Sequence, residues 1–409
     1  MADANQVYLD LQLRYQHRLR RLASRILGRS IELVSLSDKE LLQRLRRKLP
    51  VLRRGKFDFA SRRYLALMDE LRRLRELQLR QAWTQAQKEM REFARVTQDK
   101  EEERTLFSLP VKVPIQRVAP TVVLSVFDEP FAGGPVEART FPQWLTSIQT
   151  ADFDRIESTI QGGLLQGFAV TEIIRTLAGT KKKKYSDGVL ANTRRNFQAV
   201  LGAGITHVHN RVSEKLWAKN PNLYRYMQWV SVLDGRTSAV CRARDGKFAP
   251  IGDNVLPKGL PRLVPPAIRP PAHPNCRSIV VPVFDAKGLA GIVKDRPFIR
   301  ETAKDQYKQI NFRQRAKDSL GSGAWKGMSE QQRQRAVDAV RDKWLSDRIG
   351  TVPADLTYGG WLRSQPVEFQ NEVLGRPKAA LFRRGLKIDR FVDRSGRELT
   401  VPELRKLLE

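Results

Sequence analysis

The segment of residues 229–277 constrains this chain more than any other, because it holds both cysteines and the histidine nearest to them. Small and polar residues stand there between two apolar runs: Asp234, Arg236, Thr237, Ser238, Cys241, Asp245, Gly246, His273, Cys276 and Arg277. The pattern has neither the period of a helix nor the alternation of a strand. We therefore predict a compact set of loops, called here the loop knot (residues 229–277). Its structural residues are predicted to be Asp234, Arg236, Thr237, Cys241, His273, Cys276 and Arg277.

The loop knot resembles the signature of the phage Mu F-like minor head proteins, also called phage head morphogenesis proteins. In that family an aromatic-rich strand leads into a Leu-Asp-x-Arg-Thr turn with a cysteine downstream, followed by an Asp-Gly-Lys turn and a His-Pro-x-Cys-Arg motif. All three pieces occur here in that order, starting at Leu233, Asp245 and His273. The resemblance covers about residues 140–285, and residues 358–405 more loosely. One departure is Ser278, where many members carry a further cysteine.

The resemblance implies a mainly structural role in a tailed-phage head. It predicts a minor protein of the capsid interior near the portal, assembled in the host cytoplasm and able to leave with the genome. The implied partners are the portal protein, the major capsid protein and packaged double-stranded DNA. Two alternatives remain open: a cytoplasmic DNA-binding or nuclease-like enzyme that uses the loop knot, and a transient adaptor for portal or coat that is absent from the mature virion. No catalytic residues are predicted.

The charge of the chain independently indicates a polyanionic partner. Lysine and arginine number 74 against 44 acidic residues, a formal net charge of +30 over 409 residues. Such an excess favours nonspecific contact with DNA phosphates. No apolar run approaches the roughly 20 residues that span a bilayer, which disfavours a membrane-spanning segment. The candidate DNA contacts are Arg72, Arg73, Arg75, Arg80, Lys181, Lys182, Lys183 and Lys184, although a merely solvated face is the other interpretation.

Cys241, His273 and Cys276 offer three ligand types that zinc accepts. A fourth ligand is not evident, and His207, His209 and Asp234 are candidates only if the fold brings them near. A second interpretation is a purely structural hydrogen-bond network in which the cysteines pack as small apolar groups and no cofactor is bound. A disulfide between Cys241 and Cys276 is a third, disfavoured by assembly in a cytoplasm.

The predicted fold class is mainly α with a smaller α+β part, in three regions. Residues 1–105 form a basic helical N-terminal arm that buries little by itself. Residues 106–295 form a compact central α+β domain that contains the loop knot, and residues 296–409 form a small helical C-terminal region. Capping boxes predict helix starts at Ser37 and Thr400, and a cap with proline early in the helix predicts one at Thr140. Residues 105–132 are predicted to be a strand or an extended connector.

Overall fold

The computed structural model describes residues 4–52, 58–109, 112–132, 138–264, 269–284, 295–299, 311–346, 349–353 and 356–408. It confirms a mainly α chain with a smaller α+β part. No helix in these ranges is both long enough and apolar enough to cross a membrane.

Two long helices, α1 (Ala4–Leu52) and α2 (Arg62–Ser108), pack together as a hairpin. The helix start predicted at Ser37 is wrong, because α1 runs through that position without a break. The Ser37 hydroxyl instead accepts a hydrogen bond of 2.5 Å from Nη1 of Arg75 on α2. The side chain that the local sequence predicts to cap a helix is therefore used in a tertiary contact.

The hairpin shares its apolar cores with the central helices. Ile26 and Val34 of α1 and Trp83 and Met90 of α2 lie in one apolar core with residues of the central helices. A second core joins the far half of the hairpin, including Leu45 and Leu71, to the same helices. Burial of these faces stabilises the long helices, which would be marginal in isolation.

The central helices are α3 (Pro120–Leu124), α4 (Phe141–Leu165), α5 (Val170–Ala178) and α6 (Val189–Lys219). The predicted start of α4 is confirmed, since the Thr140 amide donates to Gln143 Oε1 at 2.8 Å in a capping box. Residues 105–132 hold the end of α2, an irregular connection, α3 and a 3-10 turn at Ser125–Asp128, and no strand is found among those described there.

A three-stranded antiparallel sheet follows α6, with β1 (Tyr224–Val230) between β2 (Phe248–Pro250) and β3 (Ile279–Phe284). Trp229 of β1 pairs with Val280 of β3. The short helix α7 (Ala239–Arg244) lies between β1 and β2 in sequence. Apolar side chains from the sheet, from α6 and from α7 form one core, so the loop knot is built on a rigid frame.

The C-terminal part contains more than helices. A two-stranded sheet pairs β4 (Asp295–Ile299) with β5 (Ile349–Pro353), and α8 (Phe312–Leu320), α9 (Ser322–Gly327) and α10 (Glu330–Ser346) lie between them in sequence. Residues 356–408, called here the C-terminal module, contain α11 (Tyr358–Arg363), α12 (Val367–Leu374), α13 (Arg376–Arg383) and α14 (Val401–Arg405). The capping box predicted at Thr400 is confirmed. Leu233 of the loop knot belongs to the core of this module.

Candidate functional site

Asp234 is the polar centre of the loop knot. Its carboxylate is buried and accepts two hydrogen bonds from the Arg277 guanidinium, at 2.6 and 2.7 Å. The same carboxylate accepts from the Arg236 amide at 2.9 Å and from the Thr237 hydroxyl at 3.2 Å. Because one buried acceptor closes the turn and holds Arg277, the first and third pieces of the sequence signature are joined at this point.

Arg236 contributes only its main chain to this network. Its amide closes the turn on Asp234, whereas its side chain is exposed. Within the ranges that the structure describes, the guanidinium makes no hydrogen bond or ion pair. Arg236 therefore takes part in the loop knot through its main chain alone.

Cys241, His273 and Cys276 meet beside this turn. Ser238 begins α7, and its hydroxyl accepts from the Cys241 amide at 3.4 Å, which orients Cys241 toward the loop before β3. The two Sγ atoms lie 3.6 Å apart, and Cys241 Sγ lies 3.4 Å from His273 Nε2. A disulfide needs sulfurs about 2.05 Å apart, and both cysteines are free. The predicted disulfide alternative is not the state observed.

The three ligand atoms all lie within 4.8 Å of one another, close enough to hold a metal ion. His273 Nδ1 lies 2.8 Å from the Pro274 carbonyl oxygen. A proton on Nδ1 that is donated to this carbonyl leaves the Nε2 lone pair facing Cys241, which is the arrangement common for metal-binding histidines. Ser238 Oγ lies 2.7 Å from the same Nε2.

The two thiols differ in pKa. The contact with Cys241, together with amide and hydroxyl contacts at Ser278, lowers the pKa of Cys276 to about 7. The hydrogen bond to Cys276 and burial raise the pKa of Cys241. Burial tends to lower the pKa of His273, but its contacts with Cys241 and with the Pro274 carbonyl raise it overall. Of the three groups, only Cys276 is therefore shifted toward the deprotonated form that binds a metal ion.

Arg244 is a buried cation next to this group. Its side chain is 4% exposed and lies over the Trp229 ring, with the guanidinium carbon 5.5 Å from the ring centre. Burial lowers the pKa of Arg244, and the nearby cysteines oppose that shift. Its position favours thiolates at Cys241 and Cys276. No feature of the sequence distinguishes this arginine from the others in the segment.

None of the three proposed fourth ligands joins the group. Asp234 is occupied by Arg277, and the two histidines are part of the helical core. His207 stacks on Phe131 with ring centres 5.0 Å apart, and its Nε2 lies 2.9 Å from the Val126 carbonyl oxygen. His209 Nε2 lies 2.8 Å from Gln12 Nε2. Burial lowers the pKa of His207 to about 4 and that of His209 to about 3.

Residues outside the predicted set complete the loop knot. Asp245 accepts from the Ser231 amide and from the Tyr358 amide, both at 2.7 Å. The Ser231 hydroxyl donates to the Cys241 carbonyl at 2.9 Å and lies 3.2 Å from the Ser278 hydroxyl. Asp245 was visible in the Asp-Gly-Lys motif, but its partners come from positions far away in sequence. Ser278 is thus a buried hydrogen-bonding residue.

The candidate DNA contacts divide into two groups. Lys181–Lys183 form an exposed 3-10 turn, followed by the exposed Lys184. Arg72, Arg73 and Arg80 are also exposed. Arg75 is not available to DNA: it is 1% exposed, with Nε 2.6 Å from Asp152 and Nη2 2.7 Å from Asp38. That part of the prediction is wrong.

Comparison with known proteins adds no relative. No family model matches the chain, and no curated protein and no solved structure matches it either.

Proposed function

We propose that this chain is a minor structural protein of a tailed-phage head, located in the capsid interior near the portal. It would contact packaged DNA nonspecifically, associate with portal protein and major capsid protein, and be able to leave with the genome. The observation that supports the proposal is the set of contacts that the signature residues make between loops. Asp234, Asp245 and Arg277 are all used to hold loops together, which suits a shared motif in structural proteins.

The surface charge supports contact with DNA. The Lys181–Lys184 turn projects four lysines, and the Asp187 carboxylate holds the base of the turn through the Thr180 amide and hydroxyl, both at 2.8 Å. A fixed turn with free lysine ends can follow a phosphate backbone without reading bases.

Quantitative mass spectrometry of nuclease-treated phage particles tests the head-protein proposal. The chain should be present in a constant ratio to the major capsid protein in both procapsids and mature heads. Presence in procapsids alone would support the adaptor alternative. Absence from both particles, with DNA cleavage by the purified chain, would support the enzyme alternative.

We further propose that Cys241, His273 and Cys276 bind a structural zinc ion. A tetrahedral zinc site with bonds of about 2.3 Å to sulfur and about 2.05 Å to nitrogen has sulfur–sulfur and sulfur–nitrogen edges of about 3.8 and 3.5 Å. The separations of 3.6 and 3.4 Å found here are close to those edges. Water or the Ser238 hydroxyl would supply the fourth position.

Metal content and cobalt spectroscopy test the zinc proposal. Protein purified without chelator should contain about one zinc per chain, and replacement by Co²⁺ should produce thiolate-to-cobalt absorption. Cys276→Ser should lose both signals. His209→Gln is the matched control, because His209 lies outside the group, and it should retain them. A metal-free protein that also fails to take up cobalt would rule out the site.

A further inference from the structure

A cavity of about 360 Å³ lies between the loop knot and the C-terminal module. Its walls come from α7 and the turn after it on one side and from α11, α13 and the 3-10 turn at Ile388–Phe391 on the other. Cavities of about 300–1,000 Å³ commonly hold small ligands. This one is separate from the Cys241, His273 and Cys276 group, none of which lines it.

The lining carries an excess of positive charge. Four cationic side chains, Arg242, Lys247, Arg363 and Lys387, line the cavity with two acidic ones, Asp245 and Asp389. Asp389 lies 3.6 Å from Lys247, and Asp245 is engaged by main-chain amides. In the parts of the chain that the structure describes, no carboxylate lies within 4.0 Å of Arg242, Arg363 or Lys387. Three cations at the cavity, of which Arg363 and Lys387 are exposed, thus have no ionic partner among the described residues.

Arg242 is the most buried of the four cations that line the cavity. It is 7% exposed, and its Nη1 donates to the Val373 carbonyl at 3.0 Å. Its Nε is buried and has no hydrogen-bond partner among the described residues. A buried guanidinium with a free donor is costly unless something accepts from it. Because this Nε has almost no accessible surface, it does not face the cavity, and Arg242 contributes its positive charge to the lining.

We propose that this cavity binds a phosphate-bearing ligand of nucleotide size. An excess of two positive charges matches a phosphate monoester, and arginine donor pairs suit its oxygens. Phe382, Ile388 and Pro261 supply an apolar wall for a sugar or base. Arg363 is already ordered there, with its guanidinium carbon 4.4 Å from the centre of the Phe382 ring. The phosphate can belong to a free nucleotide or to the end of a DNA strand, and the site is independent of the head-protein proposal.

Calorimetric titration of the full chain in 0.15 M salt (about physiological,) tests the site with four probes. These are AMP, adenosine, and one single-stranded oligonucleotide with either a 5′-phosphate or a 5′-hydroxyl. AMP should bind at least about tenfold more tightly than adenosine, in line with the cost of leaving charged donors unpaired. Preference for AMP alone identifies a free nucleotide, and preference for the 5′-phosphate strand identifies a strand end.

Three variants localise the binding. Arg363→Gln and Lys387→Gln should each weaken binding of the phosphate probe about tenfold (about 1.4 kcal/mol,). Arg384→Gln removes the same charge from an exposed position of the C-terminal module outside the cavity, and it should change affinity less than about twofold. Duplex DNA binding should change equally little in all three variants. Absence of phosphate-dependent binding, or equal weakening by Arg384→Gln, would overturn the proposal.

Discussion

Tyr358 donates its hydroxyl to the main-chain carbonyl oxygen of Asp234 at 2.8 Å, joining residues 124 positions apart. The Tyr358 amide also donates to the Asp245 carboxylate at 2.7 Å, and the tyrosine is fully buried. The first residue of α11 is therefore hydrogen-bonded to two of the three pieces of the sequence signature. The loop knot and the C-terminal module form one packed unit.

Removing the Asp234 carboxylate should destabilise that unit. Asp234→Ala takes away both acceptors of Arg277 and the acceptors of the Asp234 turn, so we expect a loss of about 3 kcal/mol in the free energy of unfolding. Arg236→Gln is the matched control, because its side chain is exposed, and no measurable change is expected. Urea denaturation measures both variants. An unchanged midpoint for Asp234→Ala would show that the network does not stabilise the fold.

Arg75 and Arg73 should behave oppositely although both belong to one arginine-rich run. Arg75→Met leaves the buried carboxylates of Asp38 and Asp152 without their shared cation, and we expect a loss of about 3–5 kcal/mol. Arg73 is 79% exposed, and among the described residues it pairs only with Asp69, one turn earlier on the same helix. Arg73→Met should leave the thermal unfolding midpoint unchanged. Equal effects of the two substitutions would contradict the burial of Arg75.

Acidification should destabilise the helical core through His207. Its folded pKa of about 4 lies below the ordinary histidine value of 6.5, so the unfolded chain binds the proton more readily. Stability from the neutral histidine is present above pH 6.5 and is lost as pH falls toward 4, by about 2 kcal/mol between pH 7 and pH 5. His207→Gln, which cannot titrate, should reduce the slope of this part of the stability profile, and the remaining slope comes from His209, whose pKa is about 3. Denaturation curves at several pH values measure it, and parallel profiles for variant and parent would argue against a buried neutral His207.

The exposed lysine turn should set part of the salt dependence of DNA binding. Replacing Lys181, Lys182, Lys183 and Lys184 by glutamine should reduce the slope of log affinity against log salt by about 0.9 for each DNA phosphate that the turn neutralises. Random duplexes should compete equally. The control replaces four scattered exposed lysines, Lys39, Lys88, Lys219 and Lys406, and so makes the same change in net charge. If both quadruple variants show the same slope, the turn has no special role.

Local chemistry made several elements predictable from the chain alone. The boxes at Thr140 and Thr400 are closed by a residue three positions later, so nothing distant is needed to form them. At Gly167 and Gly179, which follow α4 and α5, the φ angles are 73° and 88°, values that glycine tolerates. The sequence offered Cys241, His273 and Cys276 as three ligand types, and the fold brings them together.

Tertiary contacts decided what the sequence left open, because burial depends on partners far away in the chain. Ser37 begins the sequence of a capping box, but its hydroxyl accepts a hydrogen bond from Arg75 instead. Arg75 rather than Arg73 is buried, because Arg75 pairs with Asp152, which lies 77 positions away. The narrow apolar stripes of α1 and α2 suggested an arm that buries little by itself. In the fold, α4 and α6 cover these stripes. Tyr358 could not be assigned to the loop knot for the same physical reason. The sequence by itself determined the helix starts at Thr140 and Thr400 and the positive charge, and the fold determined which polar side chains are buried and which are exposed.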